Sequence, residues 1–147
     1  MNEIEMTTNV INNFTSYESQ LYNSIDNFIK TRSYEQKESM INIINGNSRI
    51  SLRMLDWFVT EYSKKNENFK CVHTSYKEEL HIFKKKYFDN FRRYKKFNYK
   101  YHENNHVNTT LGQLNFFRWM INNNIIEYIT NNFDMVNTQF GDFTHNN

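Results

Sequence analysis

Residues 102–106 read HENNH, which sets His102 and His106 four positions apart with Glu103 beside the first. On a helix this spacing puts two imidazoles on one face, where they can hold zinc while the glutamate acts as general base. The flanking residues do not suit that chemistry. An alternating, strand-like stretch leads into His102, Asn104 and Asn105 are weak helix formers, and no histidine follows His106 at the spacing of a third ligand. Glu127 and His145 are the remaining donors, both distant. His102 and His106 therefore stand as a weak metal alternative to a solvated connector whose imidazoles add pH-dependent positive charge to the basic stretch before them.

That stretch, residues 84–100, reads KKKYFDNFRRYKKFNYK: eight basic side chains against a single acid, Asp89. The rest of the chain holds ten basic and fifteen acidic residues, so the formal net charge of +2 conceals a cationic block on an otherwise acidic protein. Lysine and arginine at this density can neutralise phosphates, and interleaved aromatics can stack on unpaired bases. The expected nucleic-acid contacts are Lys84, Lys85, Lys86, Arg92, Arg93, Lys95, Lys96 and Lys100, with Tyr99 and Tyr101 as stacking rings. Two other accounts compete. In one, the aromatics are core and the lysines its solvated side; in the other, the cationic surface docks an acidic protein.

Nothing else in the chain assembles a catalytic constellation. Gly46, Gly112 and Gly141 are isolated, so no glycine-rich phosphate loop exists, and Cys71 with His73 is too short a pairing to define a nucleophile and its base. No cofactor is implied, and the chain is expected to be non-enzymatic. The lone cysteine excludes an internal disulfide framework and points to a reducing compartment. The opening MNEIEMTTNV lacks a basic and then apolar leader, and apolar runs fall far short of the roughly 20 residues that span a bilayer, so an intracellular protein without membrane contact is expected. Arg118 interrupts the run Phe116-Phe117-Arg118-Trp119-Met120, and a charge there needs either an acidic partner or an open face used for binding.

The elements that must position these residues follow from periodicity. A chain of 147 residues has room for one domain, expected over 15–133 between a flexible start, 1–14, and a mobile tail, 134–147. Tyr17, Leu21, Ile25, Phe28 and Ile29 fall on one helical stripe, and Met40, Ile41 and Ile44 on a second that ends at Asn45-Gly46-Asn47. Leu52, Leu55, Phe58, Val59 and Tyr62 define a helix capped by Ser51 or Ser48, with Met54 and Trp57 buried on a second side. Phe69, Cys71 and His73 alternate as a strand would. Tyr76, Leu80, Phe83, Tyr87 and Phe91 predict a helix over 75–93, opened by a Ser75/Glu78 capping box. Phe97, Tyr99 and Tyr101 alternate again, and Thr109 or Thr110 caps a final buried helix, either continuous or kinked near Asn122–Asn124. The expected fold is α-rich α+β, several helices packed around a strand-helix-strand unit.

Three blocks in this order, SRISLRMLDWFVTEYSKK (48–65), SYKEELHIFKKKYFDNFRR (75–93) and TTLGQLNFFRWMINNNIIEYI (109–129), resemble a family of small proteins encoded by nucleocytoplasmic large DNA viruses, the giant viruses and their relatives. The resemblance covers a little over half of the chain. It implies a setting, the cytoplasmic replication factory of an infected cell or the virion, with DNA, RNA or viral proteins as partners, but no activity and no catalytic residues. Around Phe88 the family pattern reads Phe-Asp-Pro-Phe-Cys-Arg-Arg; here Asn90 takes the proline's place and Arg92 the cysteine's, while Arg93 keeps the first arginine. Loss of the proline implies a helix that runs on, and loss of the cysteine argues against a thiol or metal role there. The function expected is that of an accessory protein binding nucleic-acid backbone through 84–100, the alternative being a structural or interaction component of virion or factory.

Overall fold

A computed structural model describes residues 10–146. Helix α1 (Ser16–Lys30) starts at a reciprocal cap: Thr15 Oγ1 accepts from Glu18 N–H, and the Glu18 carboxylate accepts from Thr15 N–H. Helix α2 (Tyr34–Ile44) repeats the device with Ser33 and Gln36. Ser51 caps α3, which runs from Leu52–Trp57 through a π-helical turn, Phe58–Tyr62, to Ser63–Lys65. Met54, Leu55, Trp57, Phe58, Val59 and Tyr62 of α3 are all buried, the two-sided packing expected of it.

Helix α4 (Lys70–Tyr87) corrects three expectations. Residues 69–73 do not form a strand: Val72 and Phe69 continue the Tyr76, Leu80 and Phe83 stripe backwards in helical phase, and all five pack against the core. Ser75 is consequently mid-helix, and its Oγ accepts from Trp119 Nε1–H at 2.9 Å instead of capping. The helix is also broken at Lys84, which turns to φ 62, ψ 169; a short last turn follows to Tyr87, and Phe88 then leaves helical space, so the helix does not reach Arg93.

Strands β1 (Lys96–His102) and β2 (Asn105–Thr110) pair antiparallel as a hairpin with an irregularity between Lys100 and His102. The fold is thus α-rich with a two-stranded hairpin in place of a strand-helix-strand unit. Thr110 then caps α5 (Leu111–Asn122), whose Leu111 to Phe117, Trp119 and Met120 are all buried. Helix α5 packs against α1, α4 and the hairpin, and is the axis of the fold. A turn at Asn123 and Asn124, the latter at φ 56, separates it from α6 (Ile125–Asn131), so of the two alternatives the chain takes the break near Asn122–Asn124.

The segment expected as a mobile tail forms helix α7 (Phe133–Asn146). Val136 is buried, and Phe140 and Phe143 bring their rings to 5.4 and 6.2 Å from that of Trp57. Of the expected flexible start, residues 1–9 lie outside the described residues; Phe14 packs edge-on against Phe97 at 5.8 Å. Among the described residues no helix is long and apolar enough to cross a membrane.

Candidate functional site

The cationic segment divides into a buried bend and an exposed hairpin. Past Lys84 the chain reverses through Phe88, Asp89 and Asn90, all buried. Helix α5 holds this bend: Asn115 Nδ2–H donates to Tyr87 O at 2.8 Å, Gln113 Nε2–H to Asn90 O at 2.9 Å, and Asp89 N–H to Gly112 O at 3.2 Å. Asn90 in turn donates to Leu52 O at 2.6 Å. Gly112 eases the approach, since a Cβ there would lie 3.1 Å from Lys86 O, a tight contact. Phe88 packs against Phe116, tilted, and edge-on against Trp119, with ring centroids 4.7 and 5.6 Å away.

Several of the expected contact residues serve this architecture. Arg93 forms a two-pronged ion pair with the buried Asp89, Nε to Oδ2 at 2.9 Å and a second nitrogen to Oδ1 at 2.5 Å, and this bond holds its guanidinium pKa above the ordinary value. Lys95 Nζ lies 3.5 Å from the carboxylate of buried Glu18. Burial pushes the Glu18 carboxyl up, but hydrogen bonds from Thr15 N–H and Tyr87 O–H together with the Lys95 charge outweigh it and hold the group below the usual range. Arg93 and Lys95 thus have part of their charge answered within the protein.

The hairpin sorts the rest by the pleat. Phe97, Tyr99, Tyr101 and Val107 are buried on its inner face. The expected stacking role of Tyr99 and Tyr101 is corrected accordingly: Tyr99 is 1% exposed, its hydroxyl donates to Asp26 at 2.6 Å, and burial raises its pKa, so neither ring offers a face to a base. The outer face of β1 carries Lys96, Asn98, Lys100 and His102, opposite His106 and Asn108 on β2. Arg92 joins them by donating to Asn108 O at 2.9 Å. Lys84, Lys85 and Lys86 are exposed at the end of α4. Among the described residues, no carboxylate lies within ion-pair distance of Lys84, Lys85, Lys86, Arg92, Lys96 or Lys100. The recess bordered by Lys86, Tyr94 and Lys95 measures about 20 Å³, room for about one water.

HENNH is the tip of this hairpin, with Glu103 at φ 43 in the two-residue turn. His106 Nδ1 lies 3.0 Å from Asn104 O, and His102 packs on Tyr34 with centroids 5.0 Å apart and its Nε2 3.8 Å from Glu103. Strand geometry replaces the helix that the zinc spacing needs, and no group of three metal-binding side chains occurs among the described residues.

Two residues outside the cationic segment belong with it or near it. Lys30, at the end of α1, donates to Lys100 O at 2.5 Å and lies 5.3 Å from the Tyr99 ring centre, covering the free edge of β1. Sequence gave no sign of it, since 70 positions separate the two lysines. Arg118 is half-buried and finds no carboxylate within ion-pair distance among the described residues; it donates to Ser24 Oγ at 2.8 Å and Asn115 Oδ1 at 2.7 Å. Burial lowers its pKa, with the Glu79 charge acting in the opposite sense.

The chain has relatives. Uncharacterized protein L507 of Acanthamoeba polyphaga mimivirus is 43% identical over 132 residues, covering 79% of this chain and 51% of the relative. The chain therefore spans about half the length of the curated relative it matches. No solved structure matches. The mimivirus protein bears out the resemblance to proteins of large DNA viruses. A family model, described as a family of unknown function, DUF7197, matches residues 2–147, and the chain belongs to that family.

Proposed function

We propose that the protein binds the phosphate backbone of nucleic acid, without base readout, through the outer face of the hairpin and the adjoining end of α4. The observation that carries this reading is the segregation of side chains on β1: aromatics inward, Lys96 and Lys100 outward, with His102, His106 and the Arg92–Asn108 pair on the same cationic face. Lys84, Lys85 and Lys86 extend the charge, while Arg93 and Lys95 contribute less because Asp89 and Glu18 face them. A surface of this kind contacts phosphates, and such contacts position a duplex or strand without reading its sequence. The working setting is the replication factory or virion of a large DNA virus.

The test is a titration of fluorescent single- and double-stranded DNA and RNA at low and moderate salt. Binding should be similar across sequences and fall steeply as salt rises, because each neutralised phosphate releases counterions. Absence of binding at low salt overturns the reading. A second reading, a docking component of the virion or factory, draws on Ile82, 65% exposed on α4. It predicts co-purification with viral structural proteins that survives nuclease treatment.

A further inference from the structure

Helices α1, α4 and α5 border a groove of about 480 Å³ lined by Ser24, Phe28, Glu79, Phe83, Arg118 and Trp119. Its volume falls in the range of small-molecule sites, which combine apolar walls with a few convergent polar groups. Two features separate this groove from an accidental crevice. The first is that Arg118 is held at both terminal nitrogens by Ser24 and Asn115, which also line the groove. Tyr87 O accepts from Asn115 Nδ2–H at 2.8 Å, Asn115 Oδ1 accepts from one Arg118 nitrogen at 2.7 Å, and Ser24 Oγ accepts from the other at 2.8 Å. Asn115 is 2% exposed, so the support is rigid. The second is that a half-buried guanidinium stands without a contacting carboxylate, although Glu79 lines the same groove outside ion-pair distance. A guanidinium and a carboxylate placed in one groove and kept apart leave room for a ligand that answers both charges.

We infer that this groove binds a small zwitterion with an apolar or aromatic body, an amino acid or a close analogue, whose carboxylate meets Arg118 and whose ammonium meets Glu79. The planar guanidinium matches a carboxylate with two parallel N–H bonds. Glu79 on the groove wall opposes a dianionic phosphate and favours a ligand that carries its own positive charge. Phe83 and Trp119 supply apolar walls beside Phe28, whose ring carries the Arg32 guanidinium at 4.3 Å, and an ammonium beside the other two rings gains further electrostatic attraction.

The test uses the full chain with L-phenylalanine, phenylacetate, phenethylamine and phenyl phosphate as probes, followed by the Trp119 indole N–H resonance and by calorimetry. L-phenylalanine should bind, with phenylacetate weaker and phenethylamine weaker still. Arg118→Gln and Arg118→Lys should each lower L-phenylalanine affinity by about tenfold or more, since a truncated or mismatched partner leaves a charge unpaired. Glu79→Gln should remove the preference for L-phenylalanine over phenylacetate. Thermal melting of each variant shows that it is folded, and the lysine variant keeps the charge should the glutamine variant fail to fold. Binding that survives both arginine variants, a preference for phenyl phosphate, or no shift with any probe overturns the assignment.

Discussion

Residues 84–93 and 95–102 both thread basic side chains with phenylalanine and tyrosine, yet the fold handles them differently. In the first, a bend buries Phe88, Asp89 and Asn90 under α5 and ties Arg93 to Asp89. In the second, the pleat sends Phe97, Tyr99 and Tyr101 into the core and leaves Lys96 and Lys100 in solvent. The difference teaches that a basic, aromatic composition does not by itself define a binding surface; the backbone decides which charges are structural and which are presented.

The comparison breaks most visibly at the bend. Phe88→Ala removes a ring that is 1% exposed and packed against Phe116 and Trp119, and should cost about 3–5 kcal/mol in urea unfolding. Gly112→Ala pushes a methyl group to 3.1 Å from Lys86 O and should cost about 1–3 kcal/mol by the same measurement. Lys84 sits at φ 62, ψ 169, a region essentially reserved for glycine, so Lys84→Gly should stabilise the protein by about 1 kcal/mol, after the entropy that glycine adds to the unfolded chain. On the hairpin, by contrast, Lys96→Glu with Lys100→Glu should change stability by less than about 0.5 kcal/mol per site.

Acid sharpens the same contrast. The Glu18 carboxyl is held below its unfolded value, so its contribution is complete above the unfolded pKa and is lost as pH falls through the folded one. Stability measured from neutral pH downward should therefore decline through the carboxylate range, and Glu18→Gln should flatten that decline. Lys96→Glu and Lys100→Glu add no buried carboxylate and should leave the Glu18 component of the profile in place.

Much of this was legible from residue spacing. The stripes through Leu21, Ile25 and Ile29 and through Leu55, Phe58 and Tyr62 gave two helices, and the alternation of 97, 99 and 101 gave β1. Five residues alternating at 69–73 were too few to separate a strand from the start of a helix, whereas Phe69 and Val72 in phase with Tyr76 carried the stronger signal. The break at Lys84 had no signal, because neither glycine nor proline marks it. Helix α7 was readable in Val136, Phe140 and Phe143, four and three positions apart, and its polar neighbours obscured it.

The cationic site was half legible. Which residues are charged is plain from the sequence, but the period of two that predicts β1 also requires Tyr99 and Tyr101 to face away from Lys96 and Lys100. Lysines and rings on one strand could not have shared one binding face. Asp89, the partner of Arg93, stands four positions before it in the same segment, whereas Glu18, the partner of Lys95, comes from α1, 77 positions away, a contact that only the tertiary fold creates.

The most direct test is the salt dependence of duplex DNA binding by the native chain and by the Lys96→Glu/Lys100→Glu double variant. If Lys84, Lys85, Lys86, Arg92, Lys96 and Lys100 each meet a phosphate, log K against log salt should have a slope of about −5, and the double variant should flatten it by about 2. A slope near zero, or one that the double variant leaves unchanged, contradicts the account.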